Sequence, residues 1–292
     1  MPLKLTAANK TDVGKQREQN EDKPYALISE ESESGLFIVA DGMGGYQAGE
    51  VASKLAVEKI SDALKTFFMP LSEQPTVRLT PLSEQETVKL QPMQPGEQTA
   101  AASSQKTRKL PETPIAKNVE DALKAAIRQA NKAILSYGEE QSSARGLGCT
   151  VTAAFVQGET AYVANIGDSR TYLFRNSELA PLTRDHSLVA RLVEAKQIEP
   201  EDVYTHPQRN LIYRSLGAGH KTVDPDVFHE RLQPGDSLLL CSDGLWEMVH
   251  DSDLVRVLRE QQDPQKACDI LIDLANANGG EDNITAVIVQ MR

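Results

Sequence analysis

Residues 35–45 read GLFIVADGMGG, and residues 237–245 read SLLLCSDGL. Each is a short apolar run that ends close to an Asp-Gly pair. The unbroken apolarity from Gly35 to Ala40 is the pattern of a strand buried on both faces. A carboxylate at the end of such a strand, here Asp41 or Asp243, projects from a rigid sheet edge. Acids from distant segments can converge there at little ordering cost. Asp168 follows AYVANIG in a tight turn, and Asp282 directly precedes the last apolar run, NITAVIVQ at 283–290. Four aspartates thus share one context. Gathered like charges either take up protons or hold a hard cation. An all-oxygen set with no His/Cys group beside it favours Mg²⁺ or Mn²⁺ over Zn²⁺. Asp-Gly also serves ordinary turns, so the weight lies on the set and not on any one member.

Outward from the first run, Val51, Leu55, Ile60, Leu64 and Phe67/Phe68 recur at helical spacing across Glu50 to Phe68, and Pro70 stops that helix. Composition then changes. Residues 70–114 are rich in Pro, Gln, Ser, Thr and Glu and carry an 11-residue tandem near-repeat, PLSEQPTVRLT then PLSEQETVKLQ. The copies are too few for a solenoid, and the segment has too little apolar surface to offset its ordering entropy. It is expected to be a disordered insert within a single catalytic domain formed by residues 1–69 and 115–292. A second amphipathic helix starts near Lys117 and carries Val119, Leu123, Ile127, Ala130, Ile134 and Tyr137. Strand-like runs at 150–156, 161–166 and 171–175 follow, with turns at Gly158 and Gly167-Asp168. Then come a helical stretch at 187–195, a looser region with His206-Pro207, a strand at 237–241, two helices within 251–277 and the final strand. Strands dominate the flanks, and the two long helices can only cover a sheet face. The expected class is an α+β sandwich, not a series of βαβ units.

Composition removes several alternatives. The 292 residues and 40% hydrophobic content allow a sizeable core. A net charge of -11 argues against nucleic-acid binding, which needs clustered Lys and Arg. No apolar run approaches the roughly 20 residues that span a bilayer, so no membrane role is expected. The opening MPLKLTAANKTD lacks a secretory apolar stretch, and the expected location is cytoplasmic. Cys149, Cys241 and Cys268 form no CxxC, and none has the Arg six residues on that a cysteine phosphatase would need. Neither GxGxxG nor GxxxxGK[ST] occurs, which excludes the common nucleotide-binding loops.

Eight segments, in order, resemble the bacterial branch of the PPM/PP2C family of protein phosphatases: REQNED at 17–22, LFIVADGMGG at 36–45, GCT at 148–150, ANIGDSR at 164–170, LTRDHS at 182–187, HPQRNLIYRSLG at 206–217, LLLCSDGL at 238–245 and DNIT at 282–285. The resemblance implies a four-layer α-β-β-α sandwich with two central antiparallel sheets and a binuclear Mn²⁺ or Mg²⁺ centre at one end. On that template Asp41 bridges the two ions, and Asp243 and Asp282 complete the first site. The Gly42 carbonyl ligates the second, with Glu21 acting directly or through water. Asp168 and Asp243 hold a third, weaker ion. A water ionised between the metals would attack phosphorus on phosphoserine or phosphothreonine with no phosphoenzyme, while Arg17 grips the phosphate oxygens. Asp22 is expected to anchor its loop, and Arg170 to be an ion-pair partner.

The resemblance also leaves gaps. Where animal relatives place a histidine after the Asp-Gly pair, this chain has Met43. Where some bacterial relatives place one after the double glycine, it has Tyr46. His206 is then the family-matched general acid. Residues 187–215 are expected to form a flap that sets substrate preference. Phosphorylated proteins, together with a bacterial Ser/Thr kinase whose work is reversed, are the implied partners of a monomer. Thr76 and Thr87, each three residues before a leucine, suit a forkhead-associated domain once phosphorylated, although a spacer made by duplication is the plainer reading. The rival function is a catalytically weak phosphoprotein-binding regulator on the same fold. Retention of every aspartate of the set argues against it.

Overall fold

The computed structural model describes residues 3–44, 48–68, 114–141 and 144–292. Strands β1 (Leu5–Asp12), β2 (Lys23–Ile28), β3 (Ser34–Ala40) and β4 (Gly42–Met43) come first. Helices α1 (Ala48–Leu64) and α2 (Pro114–Glu140) follow. Next come β5 (Gly148–Cys149), β6 (Val151–Gln157), β7 (Thr160–Ile166), β8 (Arg170–Arg175) and β9 (Glu178–Pro181). The short helix α3 (Leu188–Glu194) leads through a loop to β10 (Leu216–Gly217), β11 (Asp226–Arg231) and β12 (Ser237–Cys241). Helices α4 (Asp243–Trp246), α5 (Asp251–Glu260) and α6 (Pro264–Ala277) precede the last strand, β13 (Ile284–Met291).

Two five-stranded antiparallel sheets, ordered β1-β13-β12-β8-β9 and β11-β7-β6-β3-β2, pack face to face. Strand alternation explains why their central members read as unbroken apolar runs. In β3, Phe37 and Val39 point between the sheets, where they meet Val287 and Val289 of β13. Leu36, Ile38 and Ala40 point the other way, into the core under α1 and α2. In β12, Leu238 and Leu240 face the other sheet, while Leu239 and Cys241 face α5 and α6. This is the expected four-layer α-β-β-α arrangement. Phe37 is fully buried, and its truncation to alanine costs about 3–5 kcal/mol.

Several elements differ from the sequence reading. Helix α1 ends at Leu64, and Lys65–Phe68 tightens into a 3₁₀ turn. That turn sets Phe67 and Phe68 edge-on to Phe155, with ring centroids 5.5 and 5.4 Å away. The edge strands β1, β2, β9 and β11 were not expected. The Gly167-Asp168 turn does not join neighbours in one sheet. It is the crossing from β7 in one sheet to β8 in the other. This crossing brings Asp168 to the same end of the sandwich as the ends of β3 and β12. A small third sheet, β10-β5-β4, closes that end: Gly42 pairs with Cys149, and Cys149 pairs with Leu216. The insert at 70–114, with Thr76 and Thr87, lies outside the described residues up to Pro114, where α2 begins. Tyr46 also lies outside them.

Candidate active site

At this end of the sandwich Arg17, Glu21, Asp41, Gly42, Asp168, Asp243 and Asp282 line one open cavity of about 240 Å³. They come from the loop after β1, the end of β3, the sheet crossing, the start of α4 and the loop before β13. Larger concavities exist, one of about 370 Å³ beside α3, so it is charge and not size that singles this one out.

Close backbone packing sets the positions of the acids. A Cβ on Gly42 would strike the Gly49 carbonyl and come within 2.6 Å of the Glu21 carbonyl oxygen. Glycine here permits the close approach of three segments, a packing reason added to the expected inward turn of its carbonyl. Gly244 is as tight, because a Cβ there would strike the Asn283 carbonyl oxygen. Thr150 donates its N–H to the Asp41 carbonyl at 2.8 Å, and Trp246 donates its indole N–H to the Asp168 carbonyl at 3.0 Å. Asn283 clamps the Arg17 loop. Its side-chain oxygen accepts from the Glu21 N–H at 2.8 Å, and its amide donates to the Val13 and Gln19 carbonyls, both at 2.9 Å.

The electrostatics are those of crowded, desolvated carboxylates. Burial, then repulsion from Asp243, Asp22, Asp168 and Asp282, pushes the Asp41 carboxyl well above the usual range. Asp243 is raised in the same way, by burial first and by Asp168 and Asp282 next. Asp168 is pushed up to about 7, chiefly by burial and then by Asp185. Glu21 is raised by burial, although the N–H groups of Gly49 and Glu50 at the start of α1 donate to it and oppose the shift. Asp282 takes Arg17 as its counter-ion at 2.7 Å, and its other oxygen accepts the Asn283 N–H at 2.8 Å. Behind them Asp22, 5% exposed, is pushed up to about 6 by burial. Ser242 donates to its Oδ2 at 2.7 Å, and its Oδ1 has no hydrogen-bond partner. Ser242 thus leaves α4 without a side-chain cap in order to hold Asp22.

No three His, Cys, Asp or Glu side chains among the described residues already close on one point as a metal cage. Glu21 is turned to α1, and Asp282 to Arg17. The donor set nevertheless fits divalent cations: it is all oxygen, it carries one arginine against five acids at the cavity wall, and an unpartnered Asp22 oxygen lies behind it.

His206, the family-matched general acid, stands apart from the other expected site residues. It is absent from the cavity wall, and its Nδ1 accepts from the Gln208 N–H at 3.1 Å, so the ring caps its own turn. Met43 lines the cavity and has no proton to give. Arg170 fits its expected structural part. It forks onto Asp185 at 2.7–3.1 Å and stacks 3.5 Å over Trp246. The sequence reading gave no role to Asn283, Thr150, Asn210 or Ile212, the last three of which line the cavity. Only their place inside matched segments could have flagged them.

A family model described as Protein phosphatase 2C matches residues 94–284. The chain is 35% identical over 286 residues to the serine/threonine phosphatase stp of Listeria monocytogenes, covering 98% of this chain and 96% of that one. The crystal structure of serine/threonine phosphatase Stp1 from Staphylococcus aureus is similar with a TM-score of 0.75 at 32% identity, covering 100% and 98% of the two chains. The catalytic domain of the serine/threonine protein phosphatase PstP in complex with two manganese ions is similar with a TM-score of 0.72 at 30% identity, covering 100% and 99%.

Proposed function

This chain belongs to the protein phosphatase 2C family and is a metal-dependent serine/threonine protein phosphatase, and we propose that the cavity around Asp41 and Asp243 is where it hydrolyses phosphoserine and phosphothreonine. Mn²⁺ or Mg²⁺ is the cofactor. We assign Asp41, Asp243, Asp282 and the Gly42 carbonyl to the two core ions, Glu21 to the second of them, and Asp168 with Asp243 to a weaker third. Bound there, such ions supply the acidity that makes hydroxide from water near neutral pH.

The chain's own residues do the rest. Arg17 stands at the mouth, half exposed, and its planar fork suits two oxygens of one phosphate. A phosphate that engages Arg17 competes with Asp282 for it, which frees that carboxylate to face the cavity. Water attacks phosphorus directly in this reading: the described wall residues include no cysteine, and the carboxylates are assigned to the cations. The neighbouring Cys149 is fully buried, and burial pushes its thiol far up. With no imidazole among the described wall residues, the leaving oxygen takes its proton from water in the cavity.

The observation that carries this reading is the convergence of five acids from five chain segments opposite Arg17. Mn²⁺-dependent hydrolysis of p-nitrophenyl phosphate and of a phosphothreonine peptide tests it. Asp243→Asn is expected to lower both by at least roughly a hundredfold, and unchanged turnover would refute the site. The proposed substrates are proteins phosphorylated by a bacterial Ser/Thr kinase, a reading supported by the bacterial origin of the relatives. A phosphate-dependent contact of Thr76 or Thr87 with a forkhead-associated domain is proposed from sequence alone. Absence of phosphate on both after incubation with a cognate kinase would remove it.

A further inference from the structure

Among the described residues Leu211 is the one large hydrophobic side chain left exposed, at 51%. It sits between Asn210 and Ile212, both of which line the catalytic cavity. The backbone that carries it is fastened on both sides. The Leu211 N–H donates to the Gln208 carbonyl at 3.2 Å, and its carbonyl accepts from the Leu188 N–H at 2.8 Å. Ile212 forms a β-bridge with Ser187, and the Tyr213 N–H donates to the His186 carbonyl at 2.8 Å. Two residues earlier Arg209 reaches Glu247 at 3.1 Å and Glu281 at 3.0 Å, which ties this loop to the segments that carry Asp243 and Asp282.

An apolar side chain presented in this way gains free energy when it is covered, and a fastened backbone loses little entropy in the process. The cavity wall beside it is dominated by acids and Arg17, which with bound cations suit a phosphate, and its apolar members are Met43 and Ile212. Apolar recognition at this mouth therefore falls chiefly to the rim. A substrate chain with its phosphate in the cavity passes the rim within one or two residues, at about 3.3–3.6 Å per extended residue.

We infer that Leu211, with Ile212, is a specificity-determining contact that receives an aliphatic side chain one or two positions from the phosphorylated residue of the substrate protein. The inference rests on the phosphatase reading of the cavity and names the substrate class that this rim selects.

The test uses the full chain with Mn²⁺ and phosphothreonine peptides that differ only in Leu or Ser at each of the two flanking positions on either side. The wild-type enzyme is expected to prefer Leu at one or more of these positions by roughly fivefold in kcat/KM, the size that follows from covering about half a leucine. Leu211→Ser is expected to erase the preference and leave p-nitrophenyl phosphate turnover within about twofold, since that probe is too small to reach the rim. Leu211→Met, which keeps the apolar volume, is expected to retain it. The inference is overturned if the wild type shows no preference, if Leu211→Ser keeps it, or if p-nitrophenyl phosphate turnover falls by the same factor. Wild-type turnover of that small probe reports separately on the phosphatase reading.

Discussion

Replacing Asp168 by asparagine is expected to stabilise the metal-stripped protein at alkaline pH. The side chain is 5% exposed, and burial, followed by repulsion from Asp185, moves its carboxyl from 3.8 to about 7. At about 1.4 kcal/mol for each tenfold in proton affinity, the ionised form carries a penalty on the order of 4 kcal/mol. Because the folded pKa is raised, the folded chain binds more protons than the unfolded one between about pH 4 and 7, and its stability falls as pH rises through that window. Asparagine has the same shape and no charge, and the Trp246 bond to the backbone carbonyl is untouched. In EDTA-treated protein the variant should gain up to about 4 kcal/mol at pH 8 and less than about 2 kcal/mol at pH 5. For a chain of this size the pH 8 gain corresponds to roughly 10 °C in Tm. Urea and thermal melts at the two pH values read the difference. Saturating Mn²⁺ should narrow it, because binding stabilises the wild type more. A variant that is no more stable at pH 8, or equally stabilised at both pH values, refutes the electrostatic account of this site.

Gly244→Ala drives a methyl group into the Asn283 carbonyl. It should cost about 1–3 kcal/mol and raise the Mn²⁺ concentration needed for half-maximal activity. Ser242→Ala removes a donor from buried Asp22. It should cost about 1–3 kcal/mol in urea melts at pH 8, and less at pH 5, where a carboxyl with its pKa at about 6 is already protonated. Arg17→Lys keeps the charge and loses the fork, so KM for a phosphopeptide should rise by roughly tenfold. Its exposed pairing with Asp282 predicts little change in stability, within about 1 kcal/mol. His206→Gln should leave the pH–rate profile of p-nitrophenyl phosphate hydrolysis unshifted, and a displaced limb would return this histidine to the catalytic set.

The parts legible in the sequence are those whose burial leaves a one-dimensional trace. Strands β3, β12 and β13 are covered on both faces and read as continuous apolar runs. The acids that terminate or precede them stand out for the same reason. Strands β1 and β11 mix polar and charged residues, because their edges and outer faces meet solvent, and no period marks them. Phe67 and Phe68 extend the apolar count of α1 although the chain has left the helix, because their packing against Phe155 keeps them apolar in the 3₁₀ turn. Asn283, Ser242 and Thr150 were illegible because their roles are hydrogen bonds to partners far away in sequence, which composition cannot show. His206 shows the converse: its segment matches, but the ring nitrogen accepts from its own turn, a contact that the segment match does not reveal.

The acid cluster also explains why so rigid a frame surrounds it. Burial raises Asp168 and Asp22, and burial with mutual repulsion raises Asp41 and Asp243, so each opposes folding when ionised without a cation. Only segments that cannot move apart can hold such charges together. The acids accordingly sit beside β3, β12 and β13, whose apolar residues are fully buried, and beside glycines with no room for a methyl group. Cation binding and folding are then two sides of one equilibrium, and any change that lets these strand ends relax should weaken metal affinity before it unfolds the chain.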